Sequence, residues 1–356
     1  MTRYALLLCL LLPPAMAAQT DSTAPAACAK CHVEALTQPS TYMAHALESV
    51  DKCTVLTQHP SITAKIDKYT YHIERNGDKS VYSVTDGTDT VTMNIAWAMG
   101  ASSALGQTYI LEKDGQMFES RVSWFRELNG LDWTMGYAGT TPANLTEAAG
   151  RLIHMDEKVK CFGCHATDAV HGKQLTLDKL RPGVQCAHCH QGVDAHLAAV
   201  LAGSHDLAPP PDLHQLIARS AEQTSNFCGQ CHRTWAEIAM QPNPSIANIR
   251  FQPYRLTGSK CFDPDDPRIS CLACHNPHHD FGPKPVNFDS RCLACHAGGK
   301  SAAGKPLTPK PGAKACPVSK TDCVSCHMPK LELPGAHYKF TDHRIRIVKP
   351  NESYPG

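Results

Sequence analysis

Seven copies of Cys-x-x-Cys-His constrain what this chain can fold into more than any other feature. They are Cys28-Cys31-His32, Cys161-Cys164-His165, Cys186-Cys189-His190, Cys228-Cys231-His232, Cys271-Cys274-His275, Cys292-Cys295-His296 and Cys323-Cys326-His327. With 18 Cys and 20 His in 356 residues, random placement gives about 0.05 matches in the whole chain. Two cysteines three apart lie on one side of a helical turn. From there two sulfurs can form thioethers to one porphyrin, and the next histidine can reach the iron. The spacing therefore predicts seven covalently attached haem c groups, bound by Cys28, Cys31, Cys161, Cys164, Cys186, Cys189, Cys228, Cys231, Cys271, Cys274, Cys292, Cys295, Cys323 and Cys326. The predicted proximal iron ligands are His32, His165, His190, His232, His275, His296 and His327.

Residues 1–17 read as a secretory signal peptide. Arg3 supplies a short positive start, Tyr4 to Leu12 is apolar, and Ala15-Met16-Ala17 is an Ala-x-Ala cleavage site. The run is too short to span a bilayer, although a retained anchor is the alternative. Cys9 lies inside this segment. No other stretch is long and apolar enough for a transmembrane helix, so the expected setting is periplasmic or extracellular. Of the cysteines outside the motifs, Cys261 and Cys316 are the favoured disulfide pair in an oxidising compartment. Cys53 then reads as a buried free thiol; the alternative leaves all three unpaired.

The formal net charge is +1, which gives no nucleic-acid or membrane signal. Haem propionates make the loaded protein more acidic than its chain, which favours small basic redox partners. Aromatics are 6% of residues, and porphyrin faces are expected to replace part of the core.

The motifs are spread unevenly. One lies near residue 30, 128 residues without a motif follow, and six are packed into 161–327. Three zones are expected after the signal peptide: residues 18–60 with the first haem and a helix-like Val33–Val50; residues 61–141 as an antiparallel β module without haem; and residues 142–356 as a six-haem domain. In the middle zone Tyr69, Tyr71 and Ile73 alternate with Thr70, His72 and Glu74. Asn76-Gly77 and Asp114-Gly115 are hairpin signals. In the last zone Asn144 to Val159 looks helical, while Pro209–Pro211 and Ser301–Pro317 read as loops. The fold class predicted is mainly α with extensive irregular structure organised around haems, plus a small antiparallel β module.

Iron needs a sixth ligand. Thirteen histidines lie outside the motif histidines, and histidine on both sides suits low-potential electron transfer. His45, one helical face from the first motif, is a candidate, with Met43 as a competitor. His171, in Val170-His171-Gly172, also fits. His59, His154, His205 and His214 are weaker candidates. His72 reads as strand surface, and His188 and His279 as solvent-facing. Lys158, Lys160, Arg250 and Arg255 are either propionate partners or ordinary solvated charge.

The C-terminal zone resembles the multihaem cytochrome c family with cytochrome c-552/554-type domains. The resemblance rests on Gly183-Val184-Gln185-Cys186-Ala187-His188-Cys189-His190 with Asp194-Ala195-His196, on Arg250-Phe251-Gln252-Pro253-Tyr254-Arg255-Leu256, on Cys274-His275-Asn276-Pro277-His278, and on Cys326-His327-Met328-Pro329 with Thr341-Asp342-His343. It covers most of 160–345, and the first motif more loosely. It implies distal ligation by His196, His278, His337 and His343, each on a haem other than that of the nearest motif.

Three functions follow, the third a structural role as subunit of a polymeric cytochrome filament or homo-oligomer. One is electron relay between redox proteins, such as donor and acceptor cytochromes or a membrane quinol-oxidising complex. The alternative is a reductase of nitrite, hydroxylamine or a sulfur oxyanion, which needs one haem open on its distal side. Its expected place is haem 1. All seven motifs end in His and no Cys-x-x-Cys-Lys is present, which favours relay.

Overall fold

The computed structural model describes residues 25–101, 105–204, 219–241, 245–281, 286–297, 312, 314–349 and 352. The signal-peptide reading, Cys9, His205, His214 and Pro209–Pro211 lie outside the described residues, as does most of Ser301–Pro317.

The dominant element is an antiparallel sheet, not a helical assembly. Its strands are β1 Leu47–Ser49, β2 Ser61–Ile66, β3 Tyr69–Asn76, β4 Lys79–Thr85, β5 Thr90–Met99, β6 Gly106–Lys113, β7 Gln116–Phe125, β8 Gly130–Trp133 and β9 Gly150–Leu152. β2 through β8 are hydrogen-bonded in sequence order, β1 joins β5, and β9 joins β7. β2 also packs against β8, so the sheet is a nearly closed barrel. The expectation of a mainly α chain with a small β module is therefore corrected: strand and helix contribute on a similar scale. The motifs misled on this point because the haem-bearing helices are short, several of them single turns. The sheet, by contrast, gathers strands from both flanking zones.

The alternation in the sequence is the physical cause of the barrel. Along β3 the burial pattern has Tyr69, Tyr71 and Ile73 inside and Thr70 and His72 partly exposed, as the two-residue strand period requires. Two-residue turns follow Asn76 and Lys113, since Asn76 pairs with Lys79 and Lys113 with Gln116. Inside lie Tyr71, Ile73, Tyr82, Val84, Tyr109, Leu111 and Val122. Ala148 and Ala149, from the short helix Leu145–Ala149, belong to the same buried cluster.

Two predicted helices are broken. Val33–Val50 forms 3₁₀ turns at Val33–Leu36 and Gln38–Ser40, then strand β1. Asn144–Val159 is interrupted by β9 at Gly150, where any Cβ would collide with the Glu119 carbonyl of β7. A close backbone approach of this kind outweighs helix propensity.

The haem-motif zone is fastened to the barrel in two places. Phe162 packs with Leu47, Ala166 and Ala169, and Trp97 of β5 meets its ring edge-on. The C-terminal hairpin, Lys330–Glu332 with Lys339–Thr341, brings Leu333, Ala336 and Phe340 onto Ile249. Beside it Asp342 is fully buried and takes both Nε and Nη2 of Arg255 at 2.9 Å, plus Nη1 of Arg346 at 2.7 Å. Cutting one partner from such a buried pair strands the other charge. Asp342→Ala is expected to lower stability by about 3–5 kcal/mol, read by denaturant unfolding; a loss below about 1 kcal/mol contradicts this role for the pair.

Candidate functional site

Each motif closes a helical turn. Three terminate longer helices that end on the motif histidine, Met155–His165, Ala221–His232 and Asp289–His296, and a fourth is itself the helix Cys323–His327. In the other three, at Cys28, Cys186 and Cys271, the histidine amide donates back to the carbonyl of the first cysteine at 2.8–2.9 Å. Both sulfurs therefore rise from one side of a turn, with the imidazole next along. No motif cysteine is in a disulfide.

The turns are not scattered. The turn at Cys271 packs against the helix Ala221–His232, and Asp289–His296 packs against Cys323–His327. Cys164 Sγ lies 3.6 Å from the Gln230 carbonyl. Burial and the nearby Cys28 push the Cys186 thiol pKa up. Cys189 lies within electrostatic range of Cys228 and Cys231, and Cys274 of Cys292. Numbered along the chain, the motifs form one connected line, 1–3–4–5–6–7, with motif 2 against motif 4. Asp289 locks the far end, since its carboxylate accepts the Asp322 and Cys323 amides at 2.8 Å.

Three motif histidines face histidines from elsewhere in the chain. Ring centres are 6.2 Å apart for His32 and His196, 5.9 Å for His190 and His278, and 6.1 Å for His275 and His343. Two metal–imidazole bonds of about 2 Å, with roughly 1 Å more from each nitrogen to its ring centre, span about 6 Å. The three pairs are thus set at the separation that a shared iron requires.

The remaining ring nitrogens agree. His165 Nδ1 donates to the Ala46 carbonyl at 2.9 Å, His296 to Lys314 at 2.8 Å, His327 to Arg346 at 2.8 Å, and His343 to Thr341 at 3.0 Å. A carbonyl only accepts, so Nδ1 carries the proton and Nε2 keeps its lone pair for a metal. Burial pulls the His165, His232 and His275 pKa values down, and that of His343 to about 4. These rings are held in the neutral form that ligates. The donor set therefore fits haem iron.

Three other candidates stand elsewhere. His45 bonds Glu48 through Nδ1 at 2.9 Å, and that bond raises its pKa. His171 is exposed on the hairpin Val170–Leu175. His337 donates from Nε2 to Asp132 of β8 at 2.7 Å and meets Phe125 edge-on. Among the described residues none of the three has a ring contact with a motif histidine. His188, expected to face solvent, is half-buried. Cys261 and Cys316 are not disulfide-bonded, and Cys316 is exposed. Cys53 is buried and donates to Gln107 Oε1 at 3.1 Å. Of the arginines, Arg255 is committed to Asp342, whereas Arg250 keeps a buried Nε without a partner.

These features suit a c-type cytochrome domain. The family model described as cytochrome c554 and c-prime matches residues 138–191, which hold the second and third motifs. No curated protein and no solved structure matches the chain. The match supports a c-type cytochrome with covalently bound haem acting in electron transfer. The structure adds that no helix among the described residues is long and apolar enough to cross a membrane, and that no three His, Cys, Asp or Glu side chains there converge on a metal-ion site.

Replacing Cys186 and Cys189 together by serine is expected to remove one haem, read by intact mass, and to leave the β-sheet circular dichroism unchanged. An unaltered haem count contradicts the assignment of the third motif.

Proposed function

We propose that this chain is an exported heptahaem c-type cytochrome that relays electrons through closely packed, mostly bis-histidine haems. The observation that carries the reading is the pairing of His32, His190 and His275 with His196, His278 and His343 at about 6 Å. Haem iron supplies a one-electron ferric–ferrous couple. The chain's own contribution is placement. Its short turns fix each porphyrin by two sulfurs, and neighbouring turns pack against one another. Each of the three distal histidines comes from a segment remote from the motif it serves, so adjacent sites are tied to one another. The donors and acceptors are other redox proteins, docking where the ends of the motif line, at motifs 1 and 7, reach the surface.

The reductase alternative needs an open haem. Its expected place was haem 1, and His196 stands beside the histidine of that motif. Relay is accordingly the reading preferred.

His196→Ala, His278→Ala and His343→Ala should each convert one haem from low to high spin, seen by EPR, with the haem count unchanged. If all three variants retain the wild-type low-spin spectrum, the proposed ligand pairs are wrong.

A further inference from the structure

The β barrel holds one basic side chain that electron relay does not use. Arg121 of β7 is 6% exposed. Its Nη2 donates to the Thr140 carbonyl at 2.6 Å and to Thr140 Oγ1 at 2.8 Å. Its guanidinium lies over the Tyr137 ring, 4.3 Å from the centre, and over Trp133 at 5.2 Å. Its Nε is buried and makes no hydrogen bond.

Three phenols share this place. Tyr71 meets Trp133 edge-on at 5.8 Å, and its ring centre is 6.3 Å from that of Tyr82. The hydroxyls of Tyr71, Tyr82 and Tyr137 are buried without a well-formed hydrogen bond. The Tyr82 oxygen faces the Arg121 backbone and the Tyr137 oxygen faces Arg151. The positive charge of Arg121 acts on all three phenols.

All four unmet groups can donate. A buried guanidinium without an anion is unfavourable, as is a buried hydroxyl without an acceptor. The neighbouring carboxylates are engaged elsewhere: Glu119 and Glu157 with Arg151 at 2.7 Å, and Asp132 with His337 at 2.7 Å. A small anion is the acceptor that such donors lack, and the planar Arg fork suits an oxyanion.

We infer that Arg121, with Tyr71, Tyr82 and Tyr137, forms a receptor for one small oxyanion of carboxylate size. Two sources share this chemistry. One is a free anion such as formate or nitrite. The other is a haem propionate, which rests on the haem reading above. The second motif is the nearest candidate for it, because Glu119 and Arg151 act on both Cys161 and Tyr137.

The test is thermal unfolding of the haem-loaded protein in sodium formate, nitrite or sulfate against chloride at constant ionic strength, with potentiometric titration alongside. For a free anion, formate or nitrite raises the midpoint saturably in the wild type. That response is lost in Arg121→Gln and at least about tenfold weaker in the ring-preserving Tyr71→Phe/Tyr137→Phe. For a propionate, added anions do nothing, and Arg121→Gln moves the potential of one haem while the others stay. If Arg121→Gln does not fold, the double Phe variant is read in both arms. The inference is overturned if wild type and variants respond alike to every anion and no potential moves.

Discussion

The covalent tether between a Cys-x-x-Cys-His turn and a porphyrin is the constraint on which the rest of this molecule depends. A thioether pair needs two sulfurs on one side of a turn, with an imidazole one position further. The chain meets that local demand seven times, with helices as short as four residues. Turns so short have no stability of their own. They persist because other segments hold them: Asp289 caps the seventh motif, and backbone carbonyls orient four imidazoles.

The barrel serves as the frame for that assembly. Its first strand grows out of the segment Gln38–Ala46, and this segment positions two motifs. Ala46 holds His165 in register, and Val184, just before the third motif, donates to Met43 while accepting from Gln38. Gly183 sits so tightly on Ala44 that a Cβ would overlap its carbonyl. At the other end, Asp132 of β8 holds His337. The sheet and the motif segments are thereby joined by short polar contacts at defined points.

How much of this was legible in the sequence depends on the range of the interaction. The motif turns are local and were read directly, as was the alternation of Tyr69, Tyr71 and Ile73. The full extent of the sheet was missed because β1 and β9 are three residues each and are strands only by pairing with β5 and β7. The pairing of histidine rings is longer-range still. His278 follows the fifth motif yet faces His190 of the third, and nothing near either residue encodes that. His337, which the resemblance implies as a ligand, bonds through Nε2 to Asp132, 205 residues away in the chain. Arg255, read as a propionate partner or as solvated charge, is buried against Asp342 for the same reason.

The most direct measurement is the haem complement of the mature protein, by intact mass together with the pyridine haemochrome spectrum. The account predicts seven covalently bound haems, an N-terminus after Ala17 and no zinc. Absence of bound tetrapyrrole, or zinc held by the motif cysteines, contradicts it.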